Sequence, residues 1–487
     1  MQFELSIEPE TAAKLPRLAL LAHGRSGRAK SLKQRIIWHD SPNRALAAAG
    51  LALAEQHGIW RLERLYPGAE DWPPAAPAPL LAQDADPTLL GIALPDALAP
   101  VAAFDGHSTE YTIATDHGPV TLQRLRGGLR AVAAERPIAR LLLSGAEPAV
   151  LTVARALCEA LEVSVPRASL AAEALAAADS TPPRPRRLGP PLLPANISIG
   201  DAFAHALGHL TDVILHHAPD AAAGRGGPES VHQMRVAVRR LRSAITVFRA
   251  AIASEPVSAT DTALKALAQR LGPARDWDVF VTETAAAVTE VLPHDDRLQR
   301  LLGAAERRQK GSHAALTEYL ESRSYRSLGI ELAWLAGART WHAALDPMEQ
   351  EALGRDLAEF AAQVLQRRLK KLRAAGEDIE TLDVVALHAL RLRAKRMRYA
   401  AEILAPLFPG KLTKRFIGRL SVLQARLGTL NDRAVATSLL HELGGPAGRH
   451  GYAVGVVVGF VGAGSAVIRP RIIRTWEKFL RQAPFWA

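Results

Sequence analysis

Cysteine is almost missing. The 487 residues contain one, Cys158, so no internal disulfide can form and a reducing compartment is the simple expectation. Aromatic residues make up only 5% of the chain, which leaves few platforms on which a nucleobase could stack. The opening Met1-Gln-Phe-Glu-Leu-Ser6 has neither a basic segment nor an apolar run, so no secretory signal is expected. Charge is lacking over the 17 residues 452–468, which reaches the lower length limit of a membrane span. Gly451, Gly455 and Gly459 recur there at the four-residue spacing of small-residue helix contacts. An internal repeat, described below, aligns this stretch with an ordinary helix near 301–320 and Gly303 with Gly459. A buried bundle helix with a close-packed glycine face is therefore expected, and no membrane span.

Net charge is also unevenly spread. Residues 1–195 carry 20 Lys/Arg and 20 Asp/Glu, so the entire +11 of the chain lies beyond them. A basic surplus confined to one region points to an anionic partner for that region.

Within the surplus one stretch stands out, 230–248, which reads as a helix opened by a Ser230/Gln233 capping box. At about 100° per residue, His232, Arg235, Arg239 and Arg242 fall within an arc of roughly 80°. Met234, Ala237, Leu241, Ile245 and Phe248 take the opposite, core-facing side. Like charges at i,i+4 repel. The face carries no compensating carboxylate of its own, so an anion is expected to complete it.

The same pattern returns 156 positions later. His388, Arg391, Lys395 and Arg398 occupy the places of His232, Arg235, Arg239 and Arg242. Arg240 and Arg396 are a second matched pair. At the same offset Arg270, Leu271, Gly272 and Asp276 map onto Arg426, Leu427, Gly428 and Asp432. Two motifs sharing one ungapped offset define an internal repeat. The two aspartates are expected to orient arginines or to cap turns. The helical periodicity runs from 197 to 487, with repeat halves at about 197–345 and 353–487, giving four plus four helices in two bundles.

These paired H-x-x-R-x-x-x-[RK]-R-x-R helices, each followed by an L-G…D helix, resemble the CHAD family, the conserved histidine α-helical domain. The final Pro484-Phe-Trp486 is similar to that family's ending. The resemblance implies a groove between two four-helix bundles that binds inorganic polyphosphate without catalysis. Carried over residue by residue, it assigns binding to His232, Arg235, Arg239, Arg240, Arg242 and Arg270 in one half. In the other it assigns His388, Arg391, Lys395, Arg396, Arg398 and Arg426.

Residues 1–178 read as an α+β unit with an antiparallel barrel or sheet. Strands are expected at 2–8, 34–39, 59–65 and 138–144, and a helix at 148–161. A hairpin is expected where 110–115 and 120–125 flank Asp116-His-Gly-Pro119. Trp38-His-Asp-Ser-Pro-Asn-Arg-Ala-Leu46, followed by Ala49-Gly50, resembles the Y-x-D-T-P-x-x-x-L segment of the CYTH domain, the triphosphate tunnel fold. The departures are severe. Gln2, Glu4 and Ser6 stand in the slots of the family's E-x-E-x-K, Leu53-Ala-Glu-Gln56 lacks both arginines of L-R-x-R, and Ala139–Leu143 has no acid where the family has E-x-E. The resemblance thus implies a degenerate CYTH unit, with Glu4 a solvated strand residue. The proline-rich 179–196 reads as an extended linker whose Arg184, Arg186 and Arg187 are solvated.

Two other readings compete. Nucleic acid binds any basic face through its phosphates, but the basic helices offer no exposed aromatic except a flanking Tyr399. A CYTH-type triphosphatase acting with Mg²⁺ would need oxygen ligands that are largely missing here. A metal site on the two histidines is disfavoured by the surrounding cations. The expectation is a non-enzymatic polyphosphate binder with no metal and no cofactor, cytoplasmic and associated with polyphosphate granules.

Overall fold

The computed structural model describes residues 1–65, 98–131, 134–183, 189–194, 196–225, 227–463 and 465–486. Arg184, Arg186 and Arg187 lie outside these, as does the Asp432 side chain. The chain divides into two compact units. The first comprises Met1–Gly189, Leu207–Pro219 and Leu320–Ala344; the second comprises Pro190–Ala206, Asp220–Tyr319 and Leu345–Ala487.

The first unit is built on eight strands: β1 Gln2–Ile7, β2 Arg25–Asp40, β3 Leu51–Gln56, β4 Ile59–Arg64, β5 Ala99–Ile113, β6 Val120–Ala131, β7 Ala134–Gly145 and β8 Val163–Ser164. They form one antiparallel sheet in the order β4-β3-β2-β5-β6-β7-β1-β8. β4 and β8 end that order without pairing, so among the described residues the sheet is open and not a closed barrel. The expected strands and hairpin are present, and β2 and β5 are much longer than anticipated at 16 and 15 residues.

Period-2 alternation gives each face its own core. Phe3, Leu5 and Ile7 of β1 join Tyr111, Leu122 and Leu141 on one face, against Val150, Val153 and Leu157 of helix α1, Glu147–Ala160. Leu215, Ile330, Ala333 and Trp334 complete this cluster, with the rings of Phe3 and Trp334 edge-to-face at 5.6 Å. The opposite face packs Trp38, Phe104, Leu129 and Ile138 under Ala171, Ala172 and Leu175 of α2, Leu170–Ala178. The lone Cys158 is buried on α1.

Glu4 is not solvated, contrary to expectation. It is 7% exposed, and Arg140 Nε lies 3.1 Å from its Oε1. Register explains the pairing. Ser6 faces Arg140 and Glu4 faces Leu142 across β1 and β7, so all four side chains share one face. The other guanidinium nitrogens donate to Ser6 Oγ at 2.8 Å and to Glu173 Oε1. Glu63 on β4 is pushed up to about 7 by burial and by the nearby charge of Glu4.

The second unit is helical. Its main helices are α3 Ile199–Ala223 (outside Leu207–Pro219), α4 Gly227–Ile252, α5 Glu255–Val279, α6 Asp296–Glu321 (to Tyr319), α8 Leu357–Ala375, α9 Val384–Leu404, α10 Lys411–Glu442, α11 Gly451–Ala463 and α12 Ser465–Leu480. α7, Arg323–Gly337, precedes α8 in sequence and belongs to the first unit. The repeat is visible in the boundaries: α5 begins at Glu255 and α10 at Lys411, 156 positions apart. Within each half the basic helix packs on the next, α4 on α5 and α9 on α10, while α8 packs on α9 and α10 on α12. Phe485 and Trp486 close the second half, each 5.3 Å from the Phe416 ring between centroids.

Two local expectations are corrected. α4 starts at Gly227, with Pro228 in its first turn, so Ser230 lies inside the helix and is buried rather than capping it. Gln233 instead bonds Glu229 one turn back. On α11, Ala453, Val454 and Val457 are buried against Trp277, Phe280 and Leu298, as a bundle helix requires. Its glycine face is close-packed only at its start, however. A Cβ on Gly451 would run into the Pro446 carbonyl, whereas one on Gly455 or Gly459 meets nothing within 4 Å, and Tyr452 and Phe460 are half exposed. Gly451–Leu480 is long and apolar enough to cross a membrane by length and composition, but three residues of α11 are committed to a protein core.

Candidate functional site

The basic helices of both halves meet in the second unit. A cavity of about 290 Å³ is lined by His232, Arg235 and Arg239 of α4, Arg275 and Asp276 of α5, and Arg391 of α9. Val279, Phe280 and Thr284 supply an apolar wall with Val435, Ala436 and Leu439 of α10. The wall follows from local backbone. α5 widens at its end into a π-helical turn, Phe280–Ala285, which carries two of these side chains. Such bulges inside helices are frequent at functional sites. Beneath that turn Asp278 is fully buried and accepts from Gln309 and His313, each at 2.8 Å.

The row read from the sequence does not stay together. Arg235, Arg239 and His232 line the cavity. Arg242 turns away, its Nε 2.8 Å from Asp261 Oδ1 on α5. Arg235 is held by Asp276, whose Oδ1 is 2.9 Å from Nη1. The expectation of an uncompensated face is thus corrected: α5 lends two carboxylates, and Asp276 orients an arginine. In the other half Arg391 lines the cavity, Lys395 lies near the Tyr399 ring with Arg239 and Arg398, and Arg398 reaches Glu402 at 3.5 Å. His388 is exposed and lines none of the described cavities. Arg240 is half-buried outside this cavity, and Arg396 lines a different one. Arg270 stacks over Tyr319 at 5.7 Å, and Arg426 donates to the Arg471 carbonyl at 3.1 Å. Arg275 was not singled out in the sequence. The available signal was a second cation directly before the motif aspartate.

What remains is a knot of unneutralised charge. Among the described residues Arg239, Arg275, Arg391 and Lys395 have no carboxylate within ion-pair distance. Arg239 lies 5.3 Å and Lys395 6.0 Å from the centroid of the Tyr399 ring. Arg239 Nε, Arg391 Nε and the Tyr399 hydroxyl are buried without a hydrogen-bond partner. Buried donors without acceptors are costly, and an anion in the cavity would supply the missing acceptors. The electrostatics agree. Burial, then the charges of Arg239, Arg391, Arg235 and Arg398, push the Lys395 ammonium down to about 8. Burial and, next, Arg275 lower His232, and burial lowers Arg239.

Fold and site together define a repeated helical domain that presents a cationic cavity between two basic helices. Residues 205–441 match the CHAD domain, and the chain carries a CHAD domain over that span. The crystal structure of the CHAD domain from the plant Ricinus communis is similar, with a TM-score of 0.51 and 29% identity over 60% of this chain and 96% of that one. Uncharacterized proteins from two strains of Mycobacterium tuberculosis are 29% identical over 195 residues, 37% of this chain. The match spans about a third, 35%, of the length of these curated relatives.

Proposed function

We propose that this chain binds inorganic polyphosphate through its CHAD domain and does not turn it over. The observation that carries the reading is the convergence of Arg239, Arg275, Arg391 and Lys395, drawn from both repeats, with orphaned buried donors and without matching carboxylates. Guanidinium forks suit phosphate oxygens. The cavity's aromatic neighbours argue against nucleic acid. Tyr399 is 4% and Phe280 1% exposed, so neither offers a face on which a base could stack. In the sheet unit, the face on which the CYTH resemblance would place metal and triphosphate is occupied by the Glu4–Arg140–Glu173 ion pairs. We therefore read that unit as a CYTH relative without the hydrolytic site. The setting that fits is the cytoplasm, at polyphosphate granules.

The test is a competition at fixed salt and equal phosphate concentration among long polyphosphate, tripolyphosphate, single-stranded RNA and duplex DNA, with phosphate release followed in the same samples. Long polyphosphate is expected to displace the others. Equal competition by RNA would move the reading to nucleic acid, and Mg²⁺-dependent phosphate release would move it to an enzyme.

Binding should also depend on pH through Lys395. Its proton is partly lost near pH 8 in the unliganded protein, and a bound polyanion favours the charged form, so binding takes up a proton. Affinity is expected to be greatest below about pH 7 and to fall between pH 7 and 9. Lys395→Arg should keep the affinity and flatten the profile. A profile that stays as steep in that variant would assign the titration elsewhere.

A further inference from the structure

A second cavity, of about 480 Å³, lies further along α4, where α8 and α9 pack beside it. Arg239 and Arg249 are ten residues apart, so the two sites are separated by about 15 Å of helix rise. Six residues lining the second cavity are basic, Arg249, Arg367, Arg368, Lys371, Arg393 and Arg396, and none is acidic or aromatic. Val247 and Val364, 3% and 5% exposed, form part of its floor.

The existing bonds do little to neutralise these cations. Arg249 stands 3.9 Å from Asp261, which already holds Arg242 at 2.8 Å. Arg368 donates to the Arg396 carbonyl at 3.0 Å and Arg367 to the Gln363 carbonyl at 3.3 Å, both neutral acceptors. Lys371 and Arg393 are exposed and make no hydrogen bond or ion pair among the described residues. Burial, then Arg396 and Arg367, push Arg368 down to about 10. The two halves differ here. α3, which opens the first repeat, contains no lysine or arginine, whereas α8, which opens the second, carries Arg367, Arg368, Lys370, Lys371 and Arg373.

We propose that this cavity is a second phosphoryl-binding site that holds the same polyphosphate chain beyond the first cavity and carries its track onto α8, in the second repeat only. The inference rests on the polyphosphate reading above. A carboxylate would neutralise one of six cations, and a nucleotide would find no ring to stack on. A run of phosphoryl groups supplies many charges in a small space and tetrahedral oxygens that guanidinium forks can grip. Two sites on one ligand reinforce each other through effective concentration.

The experiment is calorimetric titration of the full chain with tripolyphosphate and with long polyphosphate. It compares wild type, Lys371→Ala with Arg393→Ala, and Arg239→Met with Lys395→Met, each checked by thermal melting. Wild type is expected to take two equivalents of tripolyphosphate and each double variant one. Long-chain affinity should fall roughly tenfold to a hundredfold in the Lys371/Arg393 variant, as for one or two lost charge-assisted contacts. Unchanged stoichiometry and long-chain affinity in that variant would overturn the second site and leave the first intact. Long-chain binding that survives the Arg239/Lys395 changes but is lost with Lys371 and Arg393 would overturn the first cavity instead and support this one.

Discussion

Arg239→Met together with Lys395→Met is expected to lower affinity for long polyphosphate by roughly a hundredfold or more, while the protein melts at the same temperature or higher. The two residues are counterparts in the repeat, and each lies among cations of both basic helices. Charge-assisted hydrogen bonds contribute about 1.5–3 kcal/mol each, so losing two is worth about 3–6 kcal/mol. Stability should move the other way because the side chains are mutually repulsive and partly desolvated, and methionine fills similar space without charge. The salt dependence should weaken as well, by about 0.7 per lost phosphate contact if polyphosphate behaves as a single strand. A salt series on wild type and variant measures both. Unchanged affinity and slope would show that the cavity does not hold the ligand; a large drop in melting temperature would mark the two cations as structural.

Glu63→Gln is expected to stabilise the sheet unit by about 3 kcal/mol at pH 8 and by almost nothing at pH 4.5. The folded carboxyl titrates at about 7, above its ordinary 4.5, because burial and Glu4 disfavour its charge. Between those values the unfolded chain gives up this proton and the folded one keeps it. Stability from this group is therefore unaffected below about pH 4.5, falls as pH rises to 7, and is level above. A span of 2.5 pH units corresponds to about 3 kcal/mol. Glutamine is neutral throughout. Hydrogen exchange of the sheet amides, compared between wild type and variant at several pH values, isolates the difference from other titrating groups. A difference that does not grow between pH 4.5 and 7 would show that Glu63 is already ionised in the folded sheet.

The parts of this molecule legible in the sequence are those governed by short-range periodicity. The helical phase of His232, Arg235 and Arg239 put them on one side of α4, and the 156-residue offset put α10 where α5 predicts it. What was not legible depends on neighbours distant in sequence. Asp261 and Asp276 neutralise two arginines of the stripe from a separate helix, and no helical wheel of α4 contains them. Glu4 looked solvated because its partner, Arg140, comes into register only through the pairing of β1 with β7. The glycines of α11 have the spacing of a packing face, but spacing does not state which side of a helix meets a neighbour. Arg240 and Arg396 sit one position from the stripe, about 100° round the helix, so neither lines the first cavity, and Arg396 lines the second.

The first core of the sheet unit has a consequence for how the chain is made. Phe3 packs against Trp334, and Leu215 and Ile330 belong to the same cluster. The strands and both of their covering helices have all emerged by residue 178, yet the cluster on the α1 face stays incomplete until Ile330, Ala333 and Trp334 arrive with residues 320–344. At translation rates of about 5–20 residues per second, that interval is on the order of ten to thirty seconds. Throughout it Phe3 lacks its edge-to-face partner Trp334, and the apolar groups that these late residues cover stay in water. The completion of this unit is thus timed by the ribosome's passage through much of the CHAD domain, and during that wait it is a natural client for a chaperone.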